Sequence, residues 1–258
     1  MPPDPMFAEH ALELSVVLPC LNEAETLAAC VAAAWAGLAA LGVSGEVVVA
    51  DNGSFDGSPS LAEHHGARLV SVAQRGYGRA LQAGIHAARG RYVIIADSDG
   101  SYDLSCLKPF WAKLHEGYPL VIGTRFKGKI LPHAMPPLHR YLGNPLLTWL
   151  ANRLFGTRLS DYHCGMRAFE RAALLSLPLR AEGMEFATEM IAQAALNTLP
   201  LAEVPITYAP DGRSRPPHLR PWRDGWRHLH LMLCLKWQGR KTRLAQAVSV
   251  KPPSTTST

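Results

Sequence analysis

The stretch Tyr-Val-Ile-Ile-Ala-Asp-Ser-Asp-Gly-Ser-Tyr-Asp, residues 92–103, decides the fold class. Its apolar first part is typical of a buried parallel strand, and it stops at two carboxylates, Asp97 and Asp99. Ligands of open α/β sheets lie at the carboxyl ends of such strands. Carboxylates two residues apart repel each other unless a cation lies between them, and Mg²⁺ is typically held by one or two carboxylates plus substrate phosphates. The alternative is an acidic turn, because Asp-Gly is a common turn dipeptide.

Three further apolar segments precede this strand, and each is followed by a polar loop and a helical pattern. The predicted strands cover residues 14–18, 46–50 and 67–72, with the first helix at 24–41 and the third ending at Arg89. An alternating β-α order predicts a parallel sheet with right-handed crossovers, so the polar loops share one edge. We therefore predict an α/β fold whose mostly parallel central sheet is flanked by helices.

The first strand-to-helix turn argues against a dinucleotide-dependent dehydrogenase. That turn requires the pattern G-x-G-x-x-G, but the chain has Pro19-Cys20-Leu21-Asn22-Glu23 there. The pair Gly76 and Gly78 comes too late and lacks the third glycine.

Beyond residue 103, strands are predicted at 120–123 and 201–208, and helices at 107–114, 139–155 and 186–196. The 139–155 helix carries Leu142, Leu146, Leu150 and Leu154 on one face.

Composition limits the class of protein. The chain has 258 residues and 48% apolar content, which suits one large α/β domain, or one domain with an appendage. Its five cysteines are odd in number and show no CxxC or Cys/His spacing, which argues against a disulfide framework and a zinc site. The first 13 residues lack a signal-peptide pattern, and no run of 18 uncharged apolar residues occurs, so we expect no membrane span.

The basic character is concentrated near the C-terminus. Between Asp211 and Arg243 nine Lys/Arg face two Asp, a local charge of +7 in a chain of net charge +5. An amphipathic helix is predicted at 218–245, with one apolar face formed by Trp222, Trp226, Leu229, Leu233 and Trp237. Tryptophans and cations on one helix favour contact with a membrane surface through residues 218–243. The alternative is a helix that docks on the domain by its Trp face. The predicted organisation is an N-terminal arm at 1–13, a catalytic domain at 14–217, this helix, and a disordered tail at 246–258.

Seven motifs in order resemble the family 2 glycosyltransferases with a GT-A fold, and among them the dolichyl- and polyprenyl-phosphate glycosyltransferases. The resemblance runs from Leu14 to Trp226. It rests on Val-Val-Leu-Pro-Cys-Leu-Asn-Glu (16–23), Val-Ala-Asp-Asn-Gly-Ser-Phe-Asp-Gly-Ser (49–58), Gly-Tyr-Gly-Arg-Ala-Leu-Gln-Ala-Gly (76–84), Ala-Asp-Ser-Asp-Gly-Ser-Tyr-Asp (96–103), Ile-Gly-Thr-Arg-Phe (122–126), Asp161 with Cys-Gly-Met-Arg (164–167), and Glu-Val-Pro-Ile-Thr-Tyr (203–208) before Gly-Arg-Ser-Arg (212–215).

The resemblance implies a role for each matched position. It implies nucleotide-sugar binding by Pro19, Leu21, Glu23, Asp51, Gly76, Gly78 and Asp97, and Mg²⁺ or Mn²⁺ binding by Asp97 and Asp99. Catalytic roles fall to Asp99, Arg125 and Arg215, and acceptor binding to Arg167, Arg213 and Ser214. The chain departs from its relatives at Asn52, where many have Asp, and at Ala209, near which relatives often have Arg.

The implied reaction is an inverting transfer of a hexose from a nucleotide-sugar, with UDP-glucose favoured and GDP-mannose next. Relatives that glycosylate hydroxyls usually carry a catalytic Asp in a Glu-Asp pair, and this chain contains no Glu-Asp dipeptide. A lipid phosphate is already anionic and needs no base, so a polyprenyl or dolichyl phosphate is the favoured acceptor. A hydroxyl acceptor with Asp161 or Glu185 as base, and a catalytically silent scaffold, remain alternatives. We expect a peripheral protein on the cytoplasmic face of the membrane that binds no nucleic acid, with a membrane-protein partner or homo-oligomer left open.

Overall fold

The computed structural model describes residues 12–215 and 221–249. The predicted N-terminal arm lies outside this range up to residue 11, and the predicted tail lies outside it from residue 250. The strands are β1 (Leu14–Cys20), β2 (Gly45–Asp51), β3 (Arg68–Ser71), β4 (Tyr92–Ile95), β5 (Leu120–Ile130), β6 (Arg167–Glu170) and β7 (Leu201–Tyr208). The helices are α1 (Leu27–Leu41), α2 (Ser58–His64), α3 (Tyr77–Ala87), α4 (Lys108–His115), α5 (Asn144–Phe155), α6 (Arg171–Leu175), α7 (Phe186–Leu196) and α8 (Pro221–Ser249), and a π-helical turn, His139–Gly143, leads into α5.

These strands form one seven-stranded sheet in the order β3-β2-β1-β4-β6-β5-β7. The pairs β1/β2, β1/β4, β2/β3 and β5/β7 are parallel, which confirms the predicted α/β class with a mostly parallel sheet. The sequence patterns did not predict β6, which runs antiparallel between β4 and β5. It was missed because it is only four residues long and begins with a charged residue, Arg167.

The order of the strands creates a crevice between β1 and β4. The chain moves outward from β1 through β2 to β3, and then returns to place β4 on the other side of β1. Right-handed crossovers therefore put α1 and α2 on one face of the sheet and α3 on the other. Such a reversal of direction is where open α/β sheets bind ligands, beyond the carboxyl ends of the strands.

The sheet core is packed closely on both faces. All seven residues of β1 are buried, as expected for a strand covered by helices on both sides. Helix α3 approaches β1 so closely that a Cβ on Gly84 would lie 2.4 Å from Cγ1 of Val17. A small residue at position 84 therefore sets the spacing between α3 and the sheet.

Helix α8 docks on α7 and α5 with a face other than the predicted Trp face. Among the side chains of α8 that the structure describes, the buried ones are Asp224, His228, Met232 and Leu235, whereas Trp226 is 69% exposed and Trp237 is 60% exposed. The alternative in which the helix docks by its Trp face is therefore wrong for these two residues. The side chain of Trp222 lies outside the described part. Within residues 12–215 and 221–249, no helix has the length and hydropathy needed to cross a bilayer.

Candidate active site

The two predicted metal ligands lie just beyond the end of β4, in the crevice. Asp97 accepts a hydrogen bond from the Tyr77 hydroxyl, with 2.7 Å between Tyr77 Oη and Asp97 Oδ1. Oδ1 of Asp99 accepts bonds from the backbone N–H and the hydroxyl of Ser101. The loop is fixed to β1 because the Ser98 hydroxyl donates to the carbonyl of Pro19, at 2.6 Å. Tyr77 was not among the predicted site residues, although it lies in the singled-out Gly76-Tyr77-Gly78 segment.

The chemistry of this pair fits a divalent cation bound together with phosphates. Burial, followed by the charge of Asp99, raises the pKa of Asp97 to about 6, so the site disfavours two bare carboxylates. The described residues hold no cluster of three or more His, Cys, Asp or Glu able to bind a metal. Two carboxylates leave most positions around a hard cation to substrate oxygens, which is the usual way of binding Mg²⁺ beside a diphosphate.

A segment after β7, residues 209–215, folds back over this acidic pair. The backbone N–H of Ala209 donates to the carbonyl of Ser101 at 3.0 Å, and that of Gly212 donates to the carbonyl of Asp99 at 2.8 Å. We call residues 209–215 the basic strap, because they carry Arg213 and Arg215. The strap brings two cations to the crevice from a part of the chain that is distant in sequence.

Arg213 lies among three carboxylates. Its Nη2 is 3.1 Å from Oδ2 of Asp99 and 3.0 Å from Oδ2 of Asp211, and its Nη1 is 3.3 Å from Oε1 of Glu23. Its side chain is only 9% exposed. Arg213 was predicted to bind the acceptor, but the structure brings it to the carboxylates assigned to the metal and donor. No pattern in the sequence connects Asp211 or Glu23 with Arg213.

The neighbouring strap residues contact the loop after β1. Arg215 donates to the carbonyl of Leu21 at 2.9 Å and lies 3.0 Å from Oε1 of Glu23. The hydroxyl and the backbone N–H of Ser214 both donate to the carboxylate of Glu25, which the sequence analysis did not single out. The structure therefore places the predicted catalytic Arg215 and the predicted acceptor residue Ser214 together beside residues 21–25. The prediction that Pro19, Leu21 and Glu23 line the nucleotide pocket is compatible with this position but remains a prediction.

Asp51 and Asn52 form hydrogen bonds that stabilise the loops beyond the end of β2. Asn52 is a position at which the chain departs from the family pattern. Both carboxylate oxygens of Asp51 accept bonds from the backbone N–H groups of Gly53 and Ser54. The Asn52 side-chain amide donates to the carbonyls of Val72 and Gln74, and its oxygen accepts from the N–H of Gly76 at 2.6 Å. A carboxylate at position 52 could not donate those two bonds, so the structure explains why the chain has Asn at this position.

The two glycines predicted to bind the nucleotide-sugar have a packing role. A Cβ on Gly76 would lie 2.4 Å from the carbonyl oxygen of Glu182, and one on Gly78 would lie 2.4 Å from that of Ala181. The N–H of Gly78 also donates to the Glu182 carbonyl. The close approach of residues 181–183 therefore explains both glycines without a ligand, and direct contact with a nucleotide-sugar stays a prediction.

Arg125 and Asp161 form a buried bidentate ion pair. Arg125 Nε lies 2.7 Å from Asp161 Oδ2, and Arg125 Nη2 lies 2.9 Å from Oδ1. Asp161 has no exposed surface, and the Arg125 guanidinium lies 5.2 Å from the Tyr208 ring centre. An aspartate held in this way by a guanidinium is a poor general base, because its charge and both oxygens are committed. The same pairing also occupies Nε and Nη2 of Arg125, which restricts the contact with phosphates that its predicted catalytic role requires.

Arg167, which was predicted to bind the acceptor, is fully buried. Its guanidinium donates to the backbone carbonyls of Cys164, Tyr162 and Ala187. In this structure Arg167 connects β6 to its surrounding loops, so its burial does not support acceptor binding, which stays a prediction. A buried arginine in a short strand resembles a site residue in sequence, and only its surroundings reveal the difference.

Glu185, the other candidate base, lies where α7 and α8 meet. Its Oε1 accepts from Arg227 of α8 at 2.8 Å, and its Oε2 is buried without a hydrogen-bond partner among the described residues. Next to it, His228 of α8 shares a 2.7 Å hydrogen bond with Thr188. The ring centres of His228 and His163 are 4.9 Å apart. The contact face of α8 thus combines the polar Asp224 and His228 with the apolar Met232 and Leu235, and it adjoins the loop that carries Asp161.

Comparison with known proteins identifies the family. The model of glycosyl transferase family 2 matches residues 15–177. The chain is 41% identical over 227 residues to the low-salt glycan biosynthesis hexosyltransferase Agl6 of Haloferax volcanii, covering 88% of this chain and 54% of Agl6. It thus spans about half the length of Agl6. It is also 35% identical over 164 residues to the dolichyl-phosphate hexose transferase of the same organism, covering 63% of this chain and 69% of that protein.

Solved structures agree with the fold. Glucosyl-3-phosphoglycerate synthase from Mycobacterium tuberculosis, in complex with Mn²⁺, UDP-glucose and phosphoglyceric acid, superposes with a TM-score of 0.66 at 26% identity, covering 87% of this chain and 79% of that one. Its complex with Mn²⁺, UDP and glucosyl-3-phosphoglycerate gives a TM-score of 0.63 at 25% identity, covering 94% and 82%. The matched residues 15–177 include the crevice and its acidic pair, and the chain belongs to glycosyl transferase family 2.

Proposed function

We propose that the chain transfers a hexose, with inversion, from a nucleotide-sugar to a polyprenyl or dolichyl phosphate. A phosphate acceptor is favoured because both candidate bases are engaged in ion pairs. Asp161 is buried in the bidentate pair with Arg125, and Glu185 is paired with Arg227. A hydroxyl acceptor must lose a proton during the transfer, whereas a phosphate acceptor is already an anion. The name of the dolichyl-phosphate hexose transferase relative supports the same acceptor class.

On the donor side, the crevice supplies opposite charge to a diphosphate. A divalent cation, Mg²⁺ or Mn²⁺, held by Asp97 and Asp99 would neutralise the diphosphate leaving group when bound. Arg213 and Arg215 of the basic strap lie beside the same loops, where charge-assisted hydrogen bonds to phosphate oxygens are strong. Tyr77 orients Asp97 through its hydroxyl, and Ser101 orients Asp99. UDP-glucose is our first choice of donor and GDP-mannose the second.

On the acceptor side, the proposal includes contact with the membrane through α8. Trp226, Leu233 and Trp237 are each more than half exposed on this helix. Tryptophan on a helix with basic residues is typical of helices that lie at a bilayer surface. We propose peripheral attachment to the cytoplasmic face, where the nucleotide-sugar and the phosphate group of the lipid can meet.

The test is a transfer assay with detergent-dispersed undecaprenyl phosphate and a panel of radiolabelled nucleotide-sugars. We expect label to enter the organic phase with UDP-glucose or GDP-mannose, and only when Mg²⁺ or Mn²⁺ is present. Donor binding without any turnover would contradict the proposal and favour a catalytically silent scaffold. Transfer to lipid that persists in EDTA would contradict the metal part alone.

A hydroxyl acceptor is the second candidate, and one observation favours it. Glu185 Oε2 is buried without a hydrogen-bond partner among the described residues, so this oxygen is available to accept a proton. The variant Glu185→Gln separates the two candidates. With a phosphate acceptor it should retain transfer within a few-fold, whereas loss of a general base typically costs about 10²–10⁴-fold.

A further inference from the structure

The π-helical turn and α5 expose an apolar face that the reaction does not explain. Five large side chains of residues 138–149 are more than half exposed: Leu138 at 53%, Tyr141 at 72%, Leu142 at 57%, Leu146 at 55% and Trp149 at 62%. Their spacing places them along one side of the helical segment, while Thr148 and Ala151 of the same segment are buried. We call these five residues the α5 face. A contiguous exposed apolar patch of this kind marks a contact surface in a soluble domain.

The charges around the α5 face restrict what it contacts. From Gly117 to Ser160 the sequence contains no Asp or Glu but six Lys/Arg. Three of these cations, Arg140, Arg153 and Arg158, lie at or beside the helical segment, and the Arg140 guanidinium lies 5.4 Å from the Tyr141 ring centre. Contact with a second copy through a twofold axis would bring these cations against each other without acids to pair with them. An anionic lipid surface is complementary to both the apolar residues and the cations.

The α5 face is also connected with the helix that the proposed function assigns to the membrane. Lys236 of α8 donates a hydrogen bond to the carbonyl of Leu154, close to the C-terminal end of α5. Exposed Trp and Leu side chains therefore occur on two helices that are packed against each other. The aromatic residues on the α5 face, Tyr141 and Trp149, are the types enriched at membrane–water interfaces.

We propose that the α5 face, with Arg140 and Arg153 at its margin, is a second membrane-contact element that rests on an anionic bilayer beside α8. This inference deepens the proposed function, because it concerns how the same domain reaches a lipid acceptor. Residues 138–149 then act as a lipid-facing platform, with the apolar side chains in the headgroup region and the guanidinium groups at lipid phosphates.

The experiment is co-sedimentation of the full chain with phosphatidylcholine vesicles, with and without phosphatidylglycerol, in the absence of donor. Leu146→Glu and Trp149→Glu should each weaken binding to the anionic vesicles about 10-fold or more, since each removes apolar contact and adds a repelled charge. Arg140→Gln with Arg153→Gln should reduce the preference for anionic vesicles. Phe55→Glu is the matched control, because Phe55 is 83% exposed on the loop after β2, and it should bind like the unaltered chain.

Two results would overturn the inference. One is vesicle binding by Leu146→Glu and Trp149→Glu, with unchanged melting temperatures, that equals that of the unaltered chain. The other is a dimer, detected by light scattering, that these variants convert to a monomer, since the face would then cover a second copy. The outcome is separate from the proposed function, because transfer to detergent-dispersed lipid phosphate requires no bilayer and should survive both substitutions.

Discussion

Nη2 of Arg213 lies 3.1 Å from Oδ2 of Asp99, across 114 residues of sequence. This pairing places a cation of the chain itself against a carboxylate that the proposed mechanism gives to a divalent metal. The same guanidinium also contacts Glu23 and Asp211. Metal binding at Asp99 and this ion pair therefore compete for one oxygen, and the basic strap has to move or share the carboxylate when both cations are present.

Removing the competing guanidinium should tighten metal binding. We expect Arg213→Gln to bind Mn²⁺ alone about 10-fold more tightly, a change of about 1.4 kcal/mol, because the carboxylates around Asp99 lose their paired cation. Electron paramagnetic resonance of free Mn²⁺ measures this directly. Arg215→Gln is the control, since its guanidinium contacts residues 21–23 and should change the affinity less. Equal or weaker Mn²⁺ binding by Arg213→Gln would refute the competition.

The acidic pair should be required for metal-stimulated transfer. We expect Asp99→Asn to reduce transfer about 100-fold or more, because it weakens the only described carboxylate pair at the end of β4. Asp103→Asn is a matched control four residues away, where the carboxylate is exposed and bonds only to Ser105 among the contacts described. Full metal-dependent turnover in Asp99→Asn, measured with the lipid assay, would show that the metal assignment is wrong.

The pair of Arg125 and Asp161 should contribute to stability whatever its role in catalysis. Asp161→Ala leaves a buried guanidinium without its counter-charge, and we expect a loss of about 3–5 kcal/mol in the free energy of unfolding, measured in urea. The double variant Arg125→Met/Asp161→Leu should be less destabilised than Asp161→Ala, since it removes both charges. A stable but inactive Asp161→Ala would contradict this and point instead to Asp161 as a base.

Docking of α8 should make stability depend on pH. Burial lowers the pKa of His228 from 6.5 to about 4, although the nearby Glu185 and Asp224 oppose the shift. Between these two values the unfolded chain binds a proton at this position and the folded chain does not, so the folded state loses stability as pH falls from about 6.5 to 4. The slope is at most about 1.4 kcal/mol per pH unit for one histidine.

The variant His228→Gln checks this assignment. Urea unfolding between pH 4 and 7 should show a shallower slope in the variant. His163, whose pKa burial also lowers, contributes to the slope in the same direction as His228, whereas Asp97, whose pKa is raised to about 6, contributes in the opposite direction. His133→Gln, on the exposed surface, should keep the slope of the unaltered chain. An unchanged slope in His228→Gln would mean that its protonation is not coupled to folding.

Much of the fold could be predicted because it depends on local sequence patterns. Apolar runs that end in polar loops identified β1, β2, β3, β4, the first four residues of β5, and β7, and the family resemblance is confirmed by the match over residues 15–177. Strand β6 could not be predicted in this way. Its four residues carry no period of their own, and pairing with β4 and β5 is what makes them a strand.

The site was predictable in its carboxylates but not in its arginines. Asp97 and Asp99 follow a strand, so their position at the edge of the sheet depends only on local pattern and strand direction. The three arginines all lie in or near the motifs, but their partners differ. Arg167 donates to backbone carbonyls, Arg213 pairs with Asp99, and Arg125 pairs with Asp161. Their partners come from up to 190 residues away in the sequence, and no local pattern indicates such a partner.

The exposed faces divide in the same way. The amino-acid pattern alone predicts that residues 139–155 and the C-terminal segment form helices with apolar stripes, because helical periodicity is a local property. Which side of each helix is covered depends on tertiary packing: α8 buries Met232 and His228 and exposes Trp226, and α5 exposes Leu146 and Trp149. Burial depends on the shape and polarity of the neighbouring elements, and these are set when distant segments pack together.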